Sequence, residues 1–549
     1  MATSIRLRPW QRAAFEKFTA SDQADFLAVA TPGAGKTTFA LACARAVLAE
    51  LRCRVVVVAP TAHLKVQWAA AAERFGLQLD TDWSASNGRL PNDVHGIVTT
   101  YQQVATSAEA LRTIAHDGFV IFDEIHHAGD DKAWGTSVVT AFAGAKRRLS
   151  ISGTPFRSDT AAIPFVNYHL DEATSDYEYG YGDALTDGGV VRPVYFPRID
   201  GHMEWTAPTG DIYSASFQDD LARDRSAERL RTALSAEGDW LSTVLQEAHD
   251  RLLRIRVSQP IAAGLVIATD QEHARSIAQI MRNRLNVMAE VVTSDDPTAS
   301  NRIARFANST APWIIAVRMV SEGVDIPRLR VGVYATTTST ELFFRQAVGR
   351  FVRWMPGVRN QKAYVYIPDD PRLRTHAFQI ADQRRHSLRR KDEDEDGFRK
   401  EADPAALDDM PGEAEQMSLF AVLSAVATET TVHAVGAEWD DDPDPPEPTG
   451  LEGLDDLMID LDPVPFPGSQ VGLPDGRNRR EERERLRDAN ADLARALVAR
   501  TGLTHAKVNA EMNRLAGVKK VTEATLEQLE RRLRYGESWL RRSKPGPSR

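Results

Sequence analysis

The eight residues Ala30-Thr-Pro-Gly-Ala-Gly-Lys-Thr37 constrain this chain more than any others. They follow an apolar run, Phe26–Ala30, and open a helical stretch, Thr37–Ala49. A Gly-rich turn between a buried strand and a helix gathers backbone N–H groups and the positive end of the helix dipole at one point, which makes a cradle for phosphate. Thr31, Pro32, Gly33, Ala34, Gly35 and Thr38 then wrap the phosphates of a nucleotide. The Lys36 ammonium reaches the β- and γ-oxygens, and the Thr37 hydroxyl is a ligand for Mg²⁺. Ala30 stands where the usual pattern has its first glycine. A ligand-free turn is the bland alternative, and the strand-before, helix-after context weighs against it.

Such a turn belongs at the edge of a parallel sheet, and two stretches have that character. The first holds Phe26–Ala30, Val55–Ala59, Ile97–Thr100, Val120–Asp123 and Leu149–Ser152; the second holds Leu265–Thr269, Ile314–Val317, Val331–Ala335 and Ala363–Ile367. These Val/Ile-rich runs alternate with helical periodicity, as in α/β sheets covered by helices on both faces. The expected organisation is a first lobe over residues 1–190 and a second over 191–375, with a charged helical insertion near 218–258. An acidic, largely disordered linker spans 376–476, because Asp-, Glu- and Pro-rich sequence cannot bury enough surface to offset its ordering entropy. A basic helical domain covers 477–549.

Val120-Ile-Phe-Asp-Glu-Ile-His-His127 sets two carboxylates at the carboxyl end of a buried strand, the edge at which open α/β sheets bind ligands. There Asp123 suits a Mg²⁺ ion, and Glu124 suits a base that orients and deprotonates an attacking water. A lone Asp-Glu pair is usually a solvated loop; together with Lys36 it becomes a site. Arg350 and Arg353 are spaced to share one helical face and to point across a cleft at charge developing on a phosphoryl group. Two arginines at this spacing are, in isolation, more often a solvated surface.

The order Asp123-Glu-Ile-His126, then Ser152-Gly-Thr-Pro-Phe-Arg157, resembles superfamily-2 DExH helicases, in particular the branch of type III restriction helicase subunits and their XPB-like relatives. The resemblance runs from about Arg8 to Arg374. It implies two RecA-like lobes that hydrolyse ATP with Mg²⁺ between them while moving along nucleic acid. It also implies an adenine-reading role for Gln11 in Arg8-Pro-Trp-Gln11, and strand-gripping roles for Thr61 (Ala59-Pro-Thr61) and Thr100 (Thr99-Thr-Tyr101). Gly323 and Asp325 in Ser321-Glu-Gly-Val-Asp325 would face the nucleotide, as would Arg350 and Arg353 in the run Gln346–Arg353. His126, Ser152, Thr154 and Gln346 would couple phosphate state to lobe movement.

The net charge of −10 argues mildly against a polyanionic partner, but it is unevenly spread, with acid after Lys391 and base from Arg477 onward. The restriction-like motif favours DNA over RNA as the partner; an RNA helicase and an ATP-switched scaffold are the alternatives. Gln416-Met-Ser-Leu-Phe420 resembles the short peptides that dock on bacterial sliding clamps, although Phe420 runs on into apolar AVLSAV, which is compatible with a packed helix. Cys43 and Cys53 are too few for a disulfide scaffold or zinc site. No apolar run approaches the roughly 20 residues needed to span a bilayer. A cytoplasmic protein without a membrane partner is expected.

Overall fold

The computed structural model describes residues 4–87, 89–129, 132–153, 163–169, 172–207, 209–293, 296, 298–317, 326–359, 361–393, 421–426, 458–461, 464–467 and 479–543. Among these, no helix is long and apolar enough to cross a membrane.

Val55–Ala59 reads Val-Val-Val-Val-Ala and is buried throughout. A strand apolar on both faces needs neighbours on each edge and helices above and below. It has them. The first sheet runs, in spatial order, Tyr177–Tyr179, Asp25–Ala30, Arg147–Ser152, Phe119–Asp123, Val55–Ala59, Gly96–Thr100 and Leu79–Asp80, and every pairing is parallel. The second runs Val194–Tyr195, Ala363–Pro368, Leu329–Ala335, Ala263–Ala268, Trp313–Val317 and Ala289–Val292, again all parallel. The chain passes from one sheet to the other between Tyr179 and Val194.

The charged insertion folds as helices Arg223–Ala233 and Asp239–Ser258. Trp240, Leu241, Val244, Leu245, Ala248 and Leu252 of the longer helix are buried. Ahead of these helices stands a hairpin that the sequence reading did not contain, His202–Thr206 with Ile212–Ser216. Its open edge takes up Ala421–Val426 as a third, antiparallel strand. The apolar run after Phe420 is therefore a strand and not a helix. Six residues are too few for a stable helix, whereas an unpaired strand edge satisfies their backbone at once.

Residues 376–476 also hold more described structure than their composition suggested. A helix over Pro371–Glu393 carries the chain out of the second lobe, burying Leu373, Ala377, Ile380 and Ala381. Met458–Asp460 pairs antiparallel with Ser4–Arg6 at the chain's start. Beyond it, Val464 accepts a hydrogen bond from His95 Nε2 (3.0 Å), and Phe466 stacks on the His95 ring. The Gln416–Phe420 peptide lies outside the described residues, as do Thr154, Gly323 and Asp325.

Three helices, Arg479–Thr501, His505–Ala516 and Leu526–Arg542, form a C-terminal module. One apolar cluster (Leu486, Ala516, Val518, Ala524, Leu529) closes its base and another (Leu493, Ala494, Leu497, Val508, Met512) its middle. Between them Arg532 is buried, donating to the side-chain oxygens of Asn490, Asn509 and Asn513.

Candidate active site between the two sheets

The turn after Asp25–Ala30 needs backbone conformations that only glycine adopts without strain. Gly33 and Gly35 have φ of 87° and 94°, and Gly35 caps the helix Lys36–Leu51 in the left-handed region. The turn is tied from outside by the segment Arg8–Gln11. Arg8 Nη1 donates to the Ala34 carbonyl (3.1 Å), as does Trp10 Nε1 (3.1 Å), and Gln11 Nε2 donates to the Gly35 carbonyl (2.9 Å). Gln11 Oε1 accepts from Arg8 N (2.8 Å), and the Trp10 ring stacks on Tyr179. A side chain at position 35 would put its Cβ 2.7 Å from Gln11 Nε2. The turn and the proposed adenine reader are thus one packed unit.

Lys36 Nζ donates to the Ala30 carbonyl (3.2 Å) and pairs with Glu124 Oε1 (3.3 Å). Asp123 is buried at the end of Phe119–Asp123, with Trp68 Nε1 donating to its Oδ2 (2.7 Å). Glu124, next along, sits at φ 49°, which turns it out of the strand direction toward the phosphate-binding turn. Its Oε2 accepts from Gly153 N (2.8 Å) and Ser152 Oγ (3.2 Å). Burial and the adjacent Glu124 charge push the Asp123 carboxyl up to about 6. Burial also opposes ionisation of Glu124, but Lys36, His126 and the Gly153 N–H outweigh it and bring that carboxyl down to about 2.

From Glu124 a hydrogen-bond chain crosses to the second sheet. Ser152 bridges Glu124 and His126 Nδ1 (3.3 Å), and His126 Nε2 meets the Gln346 carboxamide nitrogen at 3.1 Å. One set of proton positions satisfies all three links. Gln346 donates to Nε2, Nδ1–H donates to Ser152, and Ser152 donates to Glu124. Gln346 lies on the helix Glu341–Val348. That helix ends at Gly349, where a Cβ would fall 2.7 Å from Pro32 Cγ. The second lobe's backbone therefore abuts the phosphate-binding turn directly.

This termination corrects the reading of the two arginines. Arg350 and Arg353 do not share a helical face. The helix stops at Val348, and Arg353 lies in extended backbone bridged to Val191. A side chain at Gly33 would meet Arg353 Cδ and Nη1 at 3.4 Å, so Arg353 reaches the turn from an extended segment.

Thr61 and Thr100 stand at the carboxyl ends of the neighbouring strands Val55–Ala59 and Gly96–Thr100. Each hydroxyl caps a helix, Thr61 Oγ1 accepting from Leu64 N (3.4 Å) and Thr100 Oγ1 from Gln103 N (3.2 Å). They present two adjacent helix N-termini along one edge, a geometry suited to anionic ligands.

Residues 4–157 match the family described as type III restriction enzyme, res subunit. The DNA 3'-5' translocase XPB2 of Sulfurisphaera tokodaii is 23% identical over 381 residues, 64% of this chain and 79% of that protein. Over these residues the chain is similar to superfamily-2 helicases of the restriction and XPB-like branch. Uncharacterized protein ML1624 of Mycobacterium leprae is 46% identical over 391 residues, 70% of this chain. The chain spans 65% of that relative's length. Among solved structures, the ATP-dependent Type ISP restriction-modification enzyme LlaBIII bound to DNA aligns with a TM-score of 0.46 at 15% identity over 70% of this chain and 30% of that one.

Between the two sheets, the structure brings together Gln11, the turn from Thr31 to Thr38, Asp123, Glu124, His126, Ser152, Gln346 and Arg353. Sequence reasoning missed Trp68 as the partner of Asp123, the Tyr101 hydroxyl that donates to the Asp123 carbonyl (3.0 Å), and the Gly153 N–H on Glu124. Trp68 lies 55 residues from Asp123 with no local pattern to mark it. Tyr101 and Gly153 sit inside quoted motifs but carry no signal of what they touch.

Proposed function

We propose that this chain is an ATP-driven DNA translocase or helicase. The observation that carries the reading is the hydrogen-bond chain from Glu124 through Ser152 and His126 to Gln346 on the other lobe. A carboxylate wired across a domain interface suits a hydrolase whose bond cleavage is tied to domain movement.

Asp123 and Thr37 offer the hard oxygen donors that suit Mg²⁺, and a cation there relieves the repulsion between the Asp123 and Glu124 carboxylates. Bound Mg²⁺ would neutralise charge on the β- and γ-phosphoryl oxygens. The amides of Thr31–Gly35 and the Lys36 ammonium hold the phosphates. Lys36 now pairs with Glu124, and phosphate binding draws it away, leaving the carboxylate to take a proton from water. Arg353, beside Gly33, supplies a cation from the opposite lobe where charge spreads in the transition state, with Arg350 as its neighbour in the same motif. Gln11 serves as the adenine reader, since a carboxamide has both a second N–H and a second lone pair beyond those it uses here. Gly323 and Asp325 complete the nucleotide face in the family pattern.

Nucleic acid lies along the edge that carries Thr61 and Thr100. DNA is favoured over RNA by the restriction-subunit match and by the XPB2 relative, named as a DNA translocase. The test measures ATP hydrolysis with no polymer, then with single-stranded DNA, duplex DNA and RNA. Stimulation by DNA above RNA supports the reading. Stimulation by RNA alone replaces it with an RNA helicase, and equal rates under all conditions replace it with an ATP-switched scaffold.

A further inference from the structure

The C-terminal module is held along the outer strand of the first sheet by charge. Arg483 pairs with Asp93 at 2.6 Å, both largely buried, and Arg487 pairs with Asp80 at 3.3 Å and Asp82 at 3.8 Å. Leu526 N donates to Asp93 (2.9 Å), and Lys520 reaches the Ser86 carbonyl (3.5 Å). These pairings set a direction. Gly96 is level with Leu79, so Asp93 lies on the amino side of the strand pair, and Asp80 and Asp82 lie toward the carboxyl side. The helix Arg479–Thr501 thus climbs, in the single turn from Arg483 to Arg487, toward the edge that carries Thr61, Thr100 and the phosphate-binding turn. At 1.5 Å per residue, the stretch from Arg487 to Arg500 rises about 20 Å farther.

The helix Leu526–Arg542 climbs in parallel beside it. Arg483 Nη1 donates to Ala524 O at the base, Asn490 Nδ2 to Leu529 O in the middle, and Arg500 Nε to Ser543 O at the top. Residues 479–543 carry 16 Lys and Arg against 10 Asp and Glu, a formal +6 in a chain of −10. At the base the positive charge of Arg483 and Arg487 faces the first lobe's aspartates. The charge at the tip does not. Arg500, Lys507, Arg541 and Arg542 are exposed there, with Glu537, 3.9 Å from Arg541, and Glu511, paired with Arg514, on the turns below. Leu493, Leu497, Val508 and Met512, with Trp539 and Leu540 packed on them, form the apolar cluster beneath the tip.

We propose that this basic tip is a second nucleic-acid contact, a guide that holds duplex phosphates flanking the motor's track. The inference rests on the nucleic-acid reading above and adds to it a surface outside the helicase core. A strand lying on Thr61 and Thr100 runs at the sheet edge. A cationic surface standing well above that edge and fixed to the same lobe meets the duplex beside that strand.

The test compares the full chain with R500E/R541E/R542E, and with R500Q/R541Q/R542Q as a gentler variant, by binding to duplex and to single-stranded DNA across a salt series. On duplex, the slope of log K against log[salt] should fall in magnitude by about 0.9 for each phosphate that the tip no longer neutralises. Single-strand affinity and polymer-free ATPase should stay as in the parent, and the glutamine variant should show the same loss in smaller degree. Folded variants with the parental slope and affinity on duplex overturn the guide while leaving the motor reading intact. A loss equal on duplex and single strand overturns it in favour of a general polyanion patch. A parent that binds no nucleic acid, with ATPase unmoved by any polymer, overturns both readings.

Discussion

Glu124 adopts a left-handed backbone conformation that costs a non-glycine residue about 1–3 kcal/mol, and the fold offsets it with Lys36, Ser152 and Gly153 around one carboxylate. Glu124→Gln should lower the hydrolysis rate by two or more orders of magnitude while ATP still binds, and Lys36→Ala should lose nucleotide binding itself. A fluorescent nucleotide titration beside a steady-state assay separates the two; near-normal turnover in Glu124→Gln overturns the assignment of the base. Asp123 predicts a pH dependence whose sign follows from its raised pKa. An acid whose folded pKa lies above the unfolded value stabilises the fold in its protonated form, so its contribution is full at low pH and is lost as pH rises through about 6. The same protonation removes the proposed Mg²⁺ ligand, so below pH about 6 the Mg²⁺ concentration for half-maximal activity should rise roughly tenfold per pH unit. Asp123→Asn should flatten the metal-free melting profile, and a parental profile in that variant counts against the shift. Arg353→Ala should reduce kcat far more than ATP affinity, because its cation matters most as charge develops. Parental kcat in that variant at saturating ATP and DNA argues against an interlobe site.

The helix Glu341–Val348 and the helix Arg479–Thr501 each convert one local feature into a junction between distant parts of the chain. The first ends at Gly349 because its backbone must approach Pro32, and Gln346, nearly a turn earlier, completes the chain to His126. Gln346→Ala should therefore retain ATP binding and lose most of the polymer stimulation of hydrolysis, whereas a purely structural residue would lower basal and stimulated rates together. The second helix is fastened by the Arg483–Asp93 pair. Removing one partner of a buried pair costs about 3–5 kcal/mol, since the other charge stays out of water. Arg483→Ala should detach the C-terminal module from the first lobe while the module's own apolar clusters keep it folded. Faster proteolysis between Phe466 and Arg479 without loss of helical signal is the expected result, and unchanged proteolysis refutes the docking.

Across the whole molecule, the chain leaves the second lobe, adds the strand Ala421–Val426 to that lobe's hairpin and the strand Met458–Asp460 to the first lobe, and ends in a module on the first lobe's edge. A chain truncated after Glu393 should lose both added strands and lower the melting temperature, by about 2–4 °C for each kcal/mol lost from a domain of 150–250 residues. Calorimetry that finds the parental transition would show the strands contribute no stability. Much of this architecture was legible locally. Val55–Ala59 and Ala30–Thr37 announce a buried strand and a Gly-rich strand-to-helix turn because apolar runs, glycines and a lysine at fixed spacing leave little choice of backbone. Asp123-Glu124 and Gln346–Arg353 could be found for the same reason, as short patterns whose chemistry depends on spacing. What pairs with what was not legible. Trp68 on Asp123, Pro32 against Gly349, the hairpin edge that turns Ala421–Val426 into a strand and the aspartates that orient the C-terminal module all join residues far apart in the chain. Local sequence carries propensity and period, which set elements and their polarity. Only the packed structure decides which distant surfaces meet, because that choice rests on burial, charge pairing and backbone edges that exist once the elements have come together.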